Sequence, residues 1–107
     1  MHNKNVEEEA YWDKQKERIT LFLKYNYEGV DKITFEDTYK LPTGTVGIDG
    51  YVNDDKELDF SADIDSGMNF EAGGSTSAKL ADMSKKEYRV KKKTVSDILK
   101  ENNSINN

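Results

Sequence analysis

The sequence predicts an α+β fold: an N-terminal helix packed across an antiparallel meander of four to five strands, followed by a short C-terminal helix. Two observations carry this. Apolar residues alternate with polar ones between Val46 and Phe70, whereas those in the first 25 residues recur at helical spacing. The helix-then-meander order is similar in topology to cystatin-like folds, an analogy that assigns no function by itself.

The first helix is expected over roughly residues 5–25, where Val6, Ala10, Trp12, Ile19, Phe22 and Leu23 fall largely on one side. Glu7, Glu8 and Glu9 lie in its first turns, where carboxylates favour the positive end of the macrodipole, and Lys24 lies near its other end. Asp13, Lys14, Glu17 and Arg18 give the polar face. Tyr11, Trp12, Phe22, Tyr25 and Tyr27 offer large areas for burial against the sheet, each worth on the order of 1.5–3 kcal/mol when fully covered.

Strand pairing follows from parity, because residues facing each other across an antiparallel pair share a face. Ile33 and Phe35 alternate with Thr34 and Glu36, and Leu41-Pro42-Thr43-Gly44 forms a turn with proline and glycine at favoured places. Val46, Ile48, Gly50 and Val52 make one inward row; Leu58, Phe60, Ala62 and Ile64 make the next. The rows match if Gly50 opposes Phe60 and Val52 opposes Leu58, across an odd loop built on Asp54, Asp55 and Lys56. Asp65-Ser66-Gly67 then reads as a three-residue hairpin loop pairing Ile64 with Met68 and Ala62 with Phe70. Tyr88 and Val90 alternate with Arg89 and Lys91, as in a fifth, lysine-protected edge strand. Residues 77–84 suit either a loop or a helical turn. Thr94 with Asp97 starts the last helix, whose apolar side is Val95, Ile98 and Leu99.

Length supports one core. A chain of 107 residues buries roughly 65% of the surface its unfolded form exposes. The expected division is a flexible tail or helix start over residues 1–9, a single α+β domain over 10–102 and a disordered tail over 103–107. No apolar run approaches the roughly 18 residues of a spanning helix, and no signal-peptide pattern opens the chain, so the chain as it stands is expected to be soluble.

Missing residue types exclude much chemistry. Without cysteine there are no disulfides, thiolate nucleophiles or sulfur-ligated metals, and the single histidine, His2, stands beside a chain end, a poor place for a general base or a metal ligand. Gly73-Gly74-Ser75-Thr76 lacks the following Lys-Ser/Thr pair of a phosphate-binding loop, and Asp63-Ile64-Asp65-Ser66-Gly67 is out of register for a calcium loop. No catalytic residue, cofactor or metal is expected.

What remains is the outward face of the sheet. Parity places Asp49 opposite Ser61 and Ser61 opposite Glu71, with Glu36, Asp59 and Asp63 on the same surface and Tyr51 beside them. Asp49, Tyr51, Asp59, Ser61 and Glu71 are therefore the expected partner-binding residues. Carboxylates roughly 5 Å apart on neighbouring strands also suit glycoside hydrolysis, which further requires a cleft and one raised pKa.

Charge divides along the chain. Residues 1–75 hold eight basic and 17 acidic residues, net −9, and residues 76–107 hold eight and four, net +4. Most of the positive charge lies between Lys85 and Lys93. The acidic remainder argues against nucleic acid, and neutralisation of the acidic sheet within the molecule is the economical account of the basic segment.

The segments Tyr11-Trp12-Asp13-Lys14-Gln15 through Phe22-Leu23-Lys24-Tyr25-Asn26, Ile48-Asp49-Gly50-Tyr51-Val52-Asn53 and Leu58-Asp59-Phe60-Ser61-Ala62 resemble a family of small Gram-positive bacterial lipoproteins catalogued as a domain of unknown function. The likeness spans most of residues 10–100. It implies the mature globular part of a protein lipid-anchored outside the cytoplasmic membrane, although the lipoprotein signal and lipidated cysteine of that family are not among these residues. The expected function is a non-enzymatic extracytoplasmic binding domain with a protein partner at the cell envelope and membrane association only through such an anchor. The alternative is a carboxylate-based hydrolase of cell-wall glycans.

Overall fold

The computed structural model describes residues 2–106, with side chains described for residues 8–102. Helix α1 (His2–Asn26) precedes strands β1 (Ile33–Lys40), β2 (Val46–Val52), β3 (Asp55–Ile64) and β4 (Ser75–Thr76), then helices α2 (Ala78–Ala81) and α3 (Val95–Asn106). The four strands form one antiparallel sheet in the order β1-β2-β3-β4. This is the expected α+β arrangement, with four of the expected four to five strands.

Parity succeeds in the centre. Val46 pairs with Ile64, Ile48 with Ala62 and Gly50 with Phe60, and all six are buried under α1 with Ile19, Phe22 and Leu23. Phe35 and Phe60 meet edge to face at 5.9 Å. A Cβ added at Gly50 would overlap the Thr34 carbonyl oxygen and approach Phe60 Cζ at 2.8 Å, so the layer is built around an absent side chain.

The β2–β3 connection is tighter than expected. Asn53 and Asp54 both have positive φ, 55° and 56°, the backbone of a two-residue type I′ turn, and Val52 pairs with Asp55 instead of Leu58. A bulge after Tyr51 absorbs the mismatch, so Leu58 still reaches the core. Asn53 fixes the turn by accepting from the Asp31 and Lys32 amides at 2.8 and 3.2 Å and donating to the Gly29 carbonyl at 2.7 Å.

The expected third row does not form. After the turn at Asp65, where the Met68 amide reaches the Asp65 carbonyl at 3.0 Å, the chain leaves the sheet and returns only at β4, pairing Ser61 with Ser75 and Phe60 with Thr76. The cause is α1. Buried Gln15 accepts from the Phe70 amide at 2.6 Å and donates to Asn69 Oδ1 at 2.9 Å, while Arg18 Nε donates to the Phe70 carbonyl at 2.8 Å. The backbone groups a ladder would have used are satisfied by helix side chains instead. Phe70 still enters the core, edge to face on Phe22 at 5.3 Å, and Met68 is exposed.

The basic segment is not an edge strand either. Lys86–Tyr88 is a 3-10 turn, and Val90 is 100% exposed. Its anchor is Asn26 at the end of α1, fully buried, which accepts from the Lys93 amide at 2.8 Å and donates to the Lys93 carbonyl at 3.1 Å. Tyr25 packs on Tyr88 at 5.5 Å and donates to Glu101 at 2.7 Å, rather than covering the sheet. Lys93 pairs with Glu101 at 2.8 Å, so the expected neutralisation of the acidic sheet by this segment is not what the described ion pairs show.

Within residues 77–84 the helical turn forms as α2 (Ala78–Ala81), capped by Ser77, whose hydroxyl accepts from the Leu80 amide at 3.2 Å. Thr94 caps α3 through the Asp97 amide at 3.1 Å. Helix α1 starts at His2, a turn ahead of the glutamates, and Ala10 is exposed; the side chains of His2, Val6 and Glu7 lie outside the described residues. Of the tail 103–107, the backbone continues α3 to Asn106, and residue 107 lies outside the described residues. Among the described residues no helix is long and apolar enough to cross a membrane.

Candidate functional site

Strand β1 carries a bulge between Phe35 and Asp37, and this shapes the outer face. Phe35 opposes Gly50, but Asp37 opposes Asp49, Thr38 opposes Ile48 and Tyr39 opposes Gly47. One extra residue, Glu36, reverses the parity, so Tyr39 lies outward where uninterrupted alternation from Ile33 would point it inward. Gly47 makes room for it: a Cβ there would overlap the Tyr39 ring. The ring crosses β2 and brings its hydroxyl within 3.1 Å of Ser61 Oγ and 3.3 Å of Asp63 Oδ1, to which it donates.

Beside this tyrosine is an open hollow of about 400 Å³, lined among others by Glu36, Tyr39, Asp49, Asp59, Ser61 and Thr76. Asp49 stands opposite Asp37 on one side and Ser61 on the other, and Asp59 is its diagonal neighbour on β3. Directly opposed like charges destabilise an antiparallel pair. Asp49 is half-buried, and its Oδ1 is enclosed without a hydrogen-bond partner. Among the described residues, no ion pair reaches Glu36, Asp37, Asp49, Asp59 or Asp63. Lys79 of α2 and Lys40 at the end of β1 are engaged elsewhere: Lys79 holds Asp55 and Glu57 at 2.9 and 3.3 Å, and Lys40 holds Glu8 at 3.6 Å.

Of the residues expected here, Asp49, Asp59 and Ser61 share the hollow. Tyr51 opposes Asp59 across β2–β3 and stands outside the lining. Glu71 is elsewhere. Leaving the sheet with Phe70, it pairs with Arg18 at 3.0 Å and accepts from the Ser96 amide and hydroxyl at 2.9 and 2.6 Å, at the start of α3. Burial alone would raise its carboxyl, but the two Ser96 hydrogen bonds and the Arg18 charge outweigh that and hold it below the ordinary carboxylate value. It is a helix-capping group, not part of the outer face.

Sequence reasoning missed Tyr39 and Asp37, whose placement depends on the bulge. It also missed Gln15 and Asn26, which a helical count could have found: both sit on the stripe of Ile19, Phe22 and Leu23, four residues before Ile19 and four after Phe22. Among the described residues no group of three His, Cys, Asp or Glu side chains is arranged to hold a metal ion.

A family model described as a protein of unknown function (DUF1433) matches residues 11–100. The chain belongs to the DUF1433 family. Its fold is similar to the solution NMR structure of the folded 79-residue fragment of Lin0334 from Listeria innocua, with 31% identity, a TM-score of 0.69, and coverage of 86% of this chain and 94% of that one. None of the curated proteins compared matches. The family match takes in every element that builds the hollow, from β1 to β4.

Proposed function

We propose that this DUF1433 domain is a non-enzymatic binding module whose outer sheet face receives a protein partner presenting lysine or arginine side chains. The observation that carries the reading is the Asp37–Asp49 opposition beside Asp59 and Glu36 with no basic side chain among the described residues paired to any of them. An arrangement that repels itself in the free protein is relieved when a cation arrives. The resemblance to lipoproteins supports a place outside the cytoplasmic membrane, with a lipid anchor in the full-length form. Fractionation of the native protein with radiolabelled palmitate tests that placement, and label-free protein in the cytosolic fraction contradicts it.

The binding reading is tested by capture from envelope and secreted fractions. A partner retained by the wild type and by Glu71→Gln but lost by Asp49→Asn/Asp59→Asn supports it; a partner equally retained by all three contradicts it.

A glycan hydrolase is the second reading, because the hollow does bring Glu36, Asp49 and Asp59 to one concavity. The exposure of Glu36 and Asp59 weighs against it, since a general acid in such sites is one whose proton is retained by burial. Release of soluble fragments from purified cell wall, abolished by Asp49→Asn, would favour the hydrolase over the binding module.

A further inference from the structure

Where β3 meets β4, a half-open pocket reaches from the surface to the core. Between α1 and the edge where β3 meets β4, the chain supplies Ala62, Ala72, Gly73 and Gly74, and these four small residues leave a cavity of about 190 Å³. Gly74 has φ +108°, and a Cβ on it would overlap the Ser61 carbonyl oxygen, so the loop backbone lies directly against β3. Phe22, Phe60 and Phe70 form apolar walls; Ser61, Ser75 and Thr76 supply polar groups along the strand edge.

Lys92 is the one charged residue of the cavity among the described residues. It is half-buried, with its Nζ 5.1 Å from the centre of the Tyr27 ring and donating to the Tyr88 carbonyl at 2.8 Å. An ammonium has three protons to donate, and this carbonyl takes one. No described carboxylate lies within ion-pair distance of it, and Arg89 adds a second positive charge nearby. A partly desolvated cation without a counter-charge, beside a cavity with aromatic walls and a polar edge, is the complement of an amphiphilic anion.

We propose that this cavity binds a small organic monocarboxylate, its ring or short alkyl body against Phe22, Phe60 and Phe70 and its carboxylate on Lys92. Size sets the scale of the ligand: an apolar cavity of about 150 Å³ accepts benzene, so a molecule of benzoate size fits here. The two hollows meet along Phe60, Ser61, Ser75 and Thr76 of the β3–β4 edge, but Asp49 and Asp59 line only the outer one and Phe22, Phe70 and Lys92 only this one.

Titration of the full chain with sodium benzoate, followed by amide chemical shifts, tests this, with benzamide as the neutral counterpart. The expected result is saturable shifts at Gly73, Gly74, Thr76 and Lys92, with benzamide at least about tenfold weaker. Lys92→Met weakens benzoate about tenfold while leaving benzamide unchanged. Ala72→Phe, at an exposed position that spares the core, abolishes both. Absence of saturable shifts at these amides overturns the proposal. So does equal binding of the two probes, or benzoate binding indifferent to Lys92→Met and Ala72→Phe.

Discussion

Strands β2 and β3 and the stretch from Met68 to Lys93 are held by different physics. In the first, neighbouring backbones satisfy each other, so alternation decides which side chains face the helix and which face outward. In the second, Gln15, Arg18 and Asn26 of α1 take the backbone groups of Phe70 and of Lys93, and no alternation governs the result. The contrast teaches why the acidic face has the membership it has. Ladder pairing puts Asp49 and Asp59 on it, and side-chain capture removes Glu71 from it to the start of α3.

The comparison breaks most severely at Gly50. Gly50→Val drives a branched side chain into the Thr34 carbonyl and Phe60, and is expected to cost about 3 kcal/mol or to prevent folding. Urea unfolding checks it, and a midpoint equal to wild type would show the register to be wrong. Gln15→Leu is the matching disruption of the other region. It leaves the buried Phe70 amide without an acceptor and is expected to cost about 2 kcal/mol. Hydrogen exchange should accelerate at Phe70 while the Ile48 and Ala62 amides stay protected relative to the global stability.

Glu71 sharpens the contrast through pH. Its folded-state value is below the ordinary 4.5, so the stability it contributes is complete above that pH and disappears as pH falls through the folded-state value. Wild type should exceed Glu71→Gln in stability at neutral pH, with the difference shrinking in acid; a difference constant from pH 7 to pH 3 would contradict the ion-pair and capping role. The smallest effect has the opposite sign. Asp49→Asn removes the opposition to Asp37 and is expected to stabilise by about 0.5 kcal/mol in thermal melts, although the same change should weaken partner binding.

The legibility of the sequence follows the same division. The register from Val46–Ile64 to Gly50–Phe60 could be read from alternation, because a slip of one residue would turn four apolar side chains to water. The turn at Asn53-Asp54 could not, since the bulge after Tyr51 restores Leu58 to the core and hides the shift. Nor could the outward position of Tyr39, which rests on one extra residue at Glu36 with no change in composition to mark it. The departure of Phe70 from the sheet had a signal in two amides, Gln15 and Asn26, on an otherwise apolar helical stripe. A buried amide there must find partners, and the chain after Ile64 supplies one set of them.

The central claim is that the outer face accepts basic side chains at the Asp49–Asp59 hollow. Titration with tetralysine, followed by amide shifts at low salt, addresses it most directly. The account predicts saturable, salt-sensitive shifts centred on Asp49, Tyr51, Asp59 and Ser61 that vanish in Asp49→Asn/Asp59→Asn and persist in Glu71→Gln. Shifts spread evenly over the acidic surface, or centred on Glu71, would contradict it.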